Sequence, residues 1–211
     1  MSEGTLRAEV VQVCRALNER GLNQGTSGNV SARVAGGMLI TPSAVPYQEL
    51  GPDDLLRLDL DGRVLEGAAR PSTEWRIHAA ILEARPEAGA VLHAHPPFCT
   101  ALACLRRDIP AFHYMVAVAG GDSIRCAPYA TFGSAALAAG VHAALEERTA
   151  CLLANHGMVA LAASPTGALE LATEVEALAA QYARALQIGT PVILTADEMA
   201  DVREAFRDYG R

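Results

Sequence analysis

The chain has 211 residues, 51% apolar and 19% charged, enough to bury one sizeable core and too apolar to stay disordered. Seventeen arginines, no lysine and 24 acidic residues leave a net charge of −7, a field that disfavours nucleic acid, although helix N-termini can still bind phosphate locally. Five cysteines without a C-x-x-C pair, no membrane-length apolar run and no basic-then-apolar leader predict a cytoplasmic protein that does not engage a membrane.

Leu6, Val10, Val13, Cys14 and Leu17 recur at three- and four-residue spacings, which predicts a helix over 5–20 stopped by Gly21. A polar, glycine-rich loop spans 23–28, followed by a strand at 29–33 and another at 37–41. Leu56, Leu58 and Leu60 alternate with polar residues before Asp61-Gly62, a hairpin signal leading to Arg63-Val64-Leu65. Pro71-Ser72 opens a helix that shares one face among Trp75, His78, Ala79 and Leu82 and closes at Arg85-Pro86, with Glu74 in its first turn.

Residues 90–95 read as a buried strand ended by Pro96-Pro97, which open a helix through Leu105. A helix is expected at 134–147, strands at 149–154 and 157–162, and a long helix at 165–188; Thr195 and Glu198 form a capping box for a last helix. No stretch has linker composition, so one domain over 1–211 is expected. Its fold class is three-layer α/β/α, a mostly antiparallel sheet flanked by helices. Dinucleotide, nucleoside triphosphate and serine-hydrolase fingerprints are absent.

Residues two apart in a strand share a face, so His93 and His95 present two imidazoles to one side. Alone, the pair is equally consistent with two satisfied core histidines. His156, where one apolar strand ends and the next begins, supplies a third ring and completes a set that leaves an ion an open position. Glu74 is by spacing an ordinary acid at a helix start, yet Ser72 and Thr73 put hydroxyls and N–H groups beside it, which suits an anion. Thr26, Ser27, Gly28 and Asn29, and the turn containing Ser43 and Ala44, are either plain turns or a phosphate cradle.

The segments GLNQGTSGNVS, MLITPSAVPY, PSTEWR, VLHAHPPFCTA, HYMVAVAGG, APYATFGS and LLANHG, in that chain order, resemble the class II aldolase/adducin family from about residue 6 to Tyr209. The resemblance implies Zn2+, or another divalent transition metal, on His93, His95 and His156. Glu74 would reach the ion at rest and act as acid/base once substrate displaces it. It implies a phosphate cradle of Thr26, Ser27, Gly28, Asn29, Ser43, Ala44, Ser72 and Thr73. Tyr114, contributed by a neighbouring subunit of a homotetramer, would serve as proton donor to the aldehyde oxygen, and Phe132, Phe206 and Tyr209 would surround the aldehyde.

The reaction implied is reversible cleavage of a ketose 1-phosphate of the L-fuculose 1-phosphate kind to dihydroxyacetone phosphate and a small aldehyde such as L-lactaldehyde. With no lysine, a Schiff base on a lysine of this chain is excluded. Alternatives on the same site are cleavage of 5-deoxyribulose or 5-methylthioribulose 1-phosphate, and 4-epimerisation of a pentulose phosphate. An adducin-like interaction module is the non-enzyme alternative; it would have no use for three histidines, an acid and a phosphate loop. Ala44 departs from the family, where glycine is usual, and so does Ser27, where alanine is common; a positive φ at Ala44 would be strained. His113 and His142 are given no metal role, and His113 is a candidate to orient Tyr114.

Overall fold

The computed structural model describes residues 2–208. Eight strands form one sheet: β1 (Asn29–Val34), β2 (Gly37–Ile40), β3 (Leu56–Leu58), β4 (Val64–Glu66), β5 (Ala90–Ala94), β6 (Cys126–Ala127), β7 (Ala150–Leu153) and β8 (Gly157–Ala162). Their order is β4-β3-β2-β1-β5-β8-β7-β6. Every neighbouring pair is antiparallel except β6 with β7. Six helices accompany them: α1 (Glu3–Glu19), α2 (Trp75–Ala84), α3 (Pro97–Cys104), α4 (Ala135–Ala144), α5 (Pro165–Ile188) and α6 (Ala196–Asp208).

The layers follow from strand alternation. In β5, Leu92 and Ala94 enter an apolar cluster with Val10, Cys14 and Leu17 of α1, Leu102 of α3 and Val175 and Leu178 of α5. Val91, one residue away and on the other face, joins Ile77, Ile81 and Leu82 of α2 and Leu137 and Val141 of α4. The sheet is therefore buried on both sides, which is why β5, β7 and β8 read as continuous apolar runs. The expected three-layer, mostly antiparallel architecture is the one observed.

Local signals hold where they are stereochemical. Ser164 caps α5 by accepting from the Gly167 N–H at 3.1 Å, with Pro165 in the first turn. Thr195 and Glu198 form the reciprocal box ahead of α6, with Glu198 N to Thr195 Oγ1 at 3.2 Å and Thr195 N to Glu198 Oε2 at 2.7 Å. Two details differ from the sequence reading. Glu74 is the residue before the first turn of α2, with φ −98° and ψ 13°, and the two-residue strand β6 is too short for any periodicity to announce it. Among the described residues no helix is long and apolar enough to cross a membrane.

Candidate active site

His93 ends the buried run of β5 on the face that α2 covers, with Asn29 of β1 directly opposite in the register. Its Nδ1–H donates to the Met158 carbonyl of β8 at 2.8 Å, because a carbonyl can only accept. That bond leaves Nε2 pointing to the other side of the ring, the usual way a second hydrogen bond fixes which nitrogen can serve as a ligand. His95 follows two residues later. His156 arrives from the turn between β7 and β8, a tight reversal that Asn155 makes in the left-handed region at φ 55°. Gly157 lets that turn close: a Cβ there would lie 2.4 Å from the Ala94 oxygen and 2.7 Å from His95 Cδ2.

The three rings converge. Their centroids are 4.7 to 5.0 Å apart, and one nitrogen from each lies within 4.8 Å of the others. His93 Nε2 is 3.0 Å from His95 Nε2 and 3.1 Å from Glu74 Oε2, while Glu74 Oε1 is 3.5 Å from His156 Nε2. Glu74 is 6% exposed, and its Oε1 is a buried acceptor with no hydrogen-bond donor. A buried group of lone pairs this tight holds together around a positive charge, a shared proton or a cation. Tetrahedral zinc, with bonds of about 2.0–2.1 Å, needs nitrogens about 3.3 Å apart, so this donor set fits such an ion, with Glu74 as the fourth group.

Burial, the largest influence, pushes His95 and His156 down to about 4, so both rings are neutral near neutral pH. Burial alone would raise the Glu74 carboxyl. The His93 ring beside it, with His156 and the Asn29 amide, outweighs burial and holds Glu74 well below the usual carboxylate range. Neutral imidazoles and an ionised carboxylate are the forms that ligate metal.

A cavity of about 540 Å³ opens from this cluster. Glu74, His95 and His156 line one part of it; Thr26, Ser27, Gly28, Asn29, Ser43, Ala44, Ser72 and Thr73 line another; Tyr129, Ala130, Phe132 and Asn155 form the remaining wall. Among the described residues its lining holds no arginine. The donors they offer a phosphate are N–H groups, hydroxyls and the N-terminus of α2. Not all the donors foreseen at that N-terminus are available. The Ser72 N–H donates to the Thr41 carbonyl at 3.1 Å, the Glu74 N–H to Ser72 Oγ at 3.3 Å, and Ser43 Oγ to the Pro71 carbonyl at 2.8 Å. Exposed Thr73 makes no hydrogen bond among the described residues through its amide or hydroxyl. Ala44 sits at φ 61°, the positive value its sequence context put in question.

The remaining expected residues lie elsewhere in this chain. Tyr114 is 50% exposed, stacks on His113 with centroids 4.8 Å apart, faces Phe206 of α6 at 6.4 Å, and does not line the cavity. Phe206 packs with Leu194 and Val202 on Ala111, Ala117 and Met199. Tyr209 lies outside the described residues. His113 Nδ1 accepts the Met115 N–H at 3.1 Å, and among the described residues neither His113 nor His142 joins a metal-capable cluster.

Three buried residues matter that the sequence reading left without a role. Asn23 accepts the His95 N–H at 2.8 Å and donates to the Ser27 carbonyl at 2.9 Å, so one side chain joins the loop at 26–28 to the histidine strand. Ser31 and His78 meet behind Asn29, with Ser31 Oγ 2.7 Å from His78 Nδ1 and His78 Nε2 2.5 Å from Asn29 Oδ1. The signals were present in the spacing: Ser31 shares a strand face with Asn29, and His78 lies one helical turn beyond Glu74.

With the geometry in place, comparison with known proteins is decisive. Residues 8–183 match the Class II Aldolase and Adducin N-terminal domain. The chain belongs to the class II aldolase/adducin family. It is 52% identical over 205 residues to the 5-methylthioribulose-1-phosphate/5-deoxyribulose-1-phosphate aldolase of Rhodospirillum rubrum, covering 97% of this chain and 92% of that one. It is 47% identical over 211 residues to the L-fuculose phosphate aldolase of Escherichia coli K12, covering 100% and 98%. A solved L-fuculose 1-phosphate aldolase superposes with a TM-score of 0.94 at 39% identity, covering 98% of both chains. Within the family this chain is a class II aldolase, a lyase.

Proposed function

We propose that this chain is a single-domain, metal-dependent aldolase that reversibly cleaves a ketose 1-phosphate, of the L-fuculose 1-phosphate kind, to dihydroxyacetone phosphate and a small aldehyde. The observation that carries this reading is one cavity joining a hydroxyl- and N–H-rich end, with no cationic side chain among the described residues, to three converging imidazoles and a buried carboxylate. A second reading, cleavage of 5-methylthioribulose or 5-deoxyribulose 1-phosphate, is favoured by the Rhodospirillum rubrum relative. Both share the phosphate end and differ only in what meets the wall at Tyr129 and Phe132.

His93, His95 and His156 would hold the ion, zinc in our reading, with Glu74 joining them before substrate arrives. A bound divalent cation supplies a Lewis acid for the ketose carbonyl. The phosphate lies against the Thr26–Asn29 loop, the Ser43-Ala44 turn and Thr73, which directs the carbon chain toward Glu74. In cleavage the C3–C4 bond breaks, and Glu74 returns a proton to C3 to complete dihydroxyacetone phosphate; in synthesis it removes that proton. Tyr114 of a neighbouring copy exchanges the proton on the aldehyde oxygen, and Phe206 and Tyr209 complete the aldehyde end beside Phe132. Tyr114's exposure and its absence from the lining of its own cavity support a homotetramer with sites at subunit boundaries.

Five free cysteines, three of them buried, support a cytoplasmic setting. The test is an aldehyde- and dihydroxyacetone-phosphate-release assay on purified protein against L-fuculose, 5-deoxyribulose and 5-methylthioribulose 1-phosphates. Cleavage of at least one supports the function and ranks the two readings. Epimerisation of a pentulose phosphate without any cleavage would overturn it.

A further inference from the structure

Behind Glu74 a chain of hydrogen bonds runs from the cavity into the fully buried interior. Asn29 Nδ2 donates to Glu74 Oε2 at 3.1 Å; Asn29 Oδ1 lies 2.5 Å from His78 Nε2; His78 Nδ1 lies 2.7 Å from Ser31 Oγ. Ser31 and His78 are fully buried and Asn29 is 4% exposed, so no water can replace a missing partner.

The proton positions follow by elimination. The Asn29 NH2 faces Glu74 Oε2 and its Oδ1 faces His78 Nε2. An amide oxygen accepts only, so His78 carries its proton on Nε2. Burial keeps the His78 ring neutral, pushed down to about 3, so Nδ1 is bare and takes the Ser31 hydroxyl proton. Reversing any one bond sets two acceptors or two donors face to face. Strand register and helix phase built this array: Asn29 and Ser31 alternate on one face of β1, and His78 is the α2 residue above them.

We propose that His78, its tautomer set by Ser31, is a positioning residue that locks the Asn29 amide so that Glu74 Oε2 is held as an acceptor and Oε1 is left to carry the proton in catalysis. The role of Oε1 rests on the proposed function; the tautomer and amide orientation do not. Oε1 has no donor among the described residues and lies on the His156 side of the carboxylate, where it gains or loses a proton without disturbing the Oε2 bond. Locking the amide therefore orients the catalytic acid.

The first test is on wild-type protein labelled with 15N-histidine: long-range 15N–1H correlations, assigned by comparison with His78→Gln, should show His78 neutral and protonated on Nε2. A proton on Nδ1, or on both nitrogens, overturns the proposal. The second test is kinetic. His78→Leu should lower kcat by about 10- to 100-fold, with KM for the ketose phosphate and bound-metal stoichiometry unchanged. His78→Gln, whose amide can donate where Nε2–H did, should restore kcat to within about 5-fold of wild type. Equal losses in the two variants, or a raised KM at unchanged kcat, contradict a positioning role. If His78→Leu does not fold, the wild-type tautomer decides. A wild-type enzyme that cleaves none of the ketose phosphates would count against the proposed function, whereas the tautomer tests the relay.

Discussion

Gly28 packs so close to His93 that a Cβ on Gly28 would stand 2.7 Å from the His93 carbonyl oxygen and 2.1 Å from Asn23 Nδ2. The oxygen belongs to a central strand and cannot yield, and Gly28 has φ +76°. The loop at 26–28 and the histidine strand thus approach each other closely, and only a residue without a side chain permits it. Gly28→Ala should destabilise the protein by about 2 kcal/mol or more, from left-handed strain plus overpacking. Denaturant unfolding measures this. A variant of unchanged stability and unchanged metal affinity would show that the two segments are not coupled.

Ala44 poses the opposite case. It is exposed, lines the cavity and carries φ 61°. Left-handed backbone costs an L-residue about 1–2 kcal/mol, partly offset in a glycine variant by the greater freedom of the unfolded chain. Ala44→Gly should leave stability equal or raise it by up to about 1 kcal/mol. Any change in turnover should appear in KM for the phosphate ester, not in kcat. A loss of more than about 1 kcal/mol would mean that the methyl group makes contacts outweighing its strain.

The fold was legible where burial dictates pattern. The apolar runs 90–94 and 150–153 and the capping box of Thr195 and Glu198 needed no tertiary information, because apolar patterning and unpaired N–H groups are local facts. The converging histidines were also legible, since two lie at i and i+2 on one strand and the third at a strand junction. The wiring behind them was not. Ser31 to His78 and Asn23 to His95 join residues 47 and 72 positions apart, and only the sheet register and the seating of α2 bring them together. The free N–H groups anticipated around Ser72 were partly an overcount, because the carbonyl of Thr41, just past β2, claims one of them.

Glu74 is expected to be catalytic and Tyr114 to act across a boundary between copies. Glu74→Gln should lower kcat by about 10²–10⁴-fold. Tyr114→Phe should also lose aldol turnover while remaining folded, because Tyr114 is half exposed in its own chain. Subunits of the two variants, unfolded together at equal ratio and reassembled, should recover about a quarter of wild-type activity, the fraction of boundaries that pair an intact Glu74 with an intact Tyr114. No recovery in assemblies shown to be mixed would place Tyr114 outside the shared site.

His93, His95 and His156 are expected to hold one catalytic cation. Calorimetric titration of chelator-stripped protein with Zn2+ should show one ion per chain, restoration of activity in proportion to occupancy, and loss of stoichiometric binding in His95→Ala. Stripped protein that takes up no ion yet retains full turnover, or a His95→Ala variant that binds zinc as tightly as wild type, would contradict it.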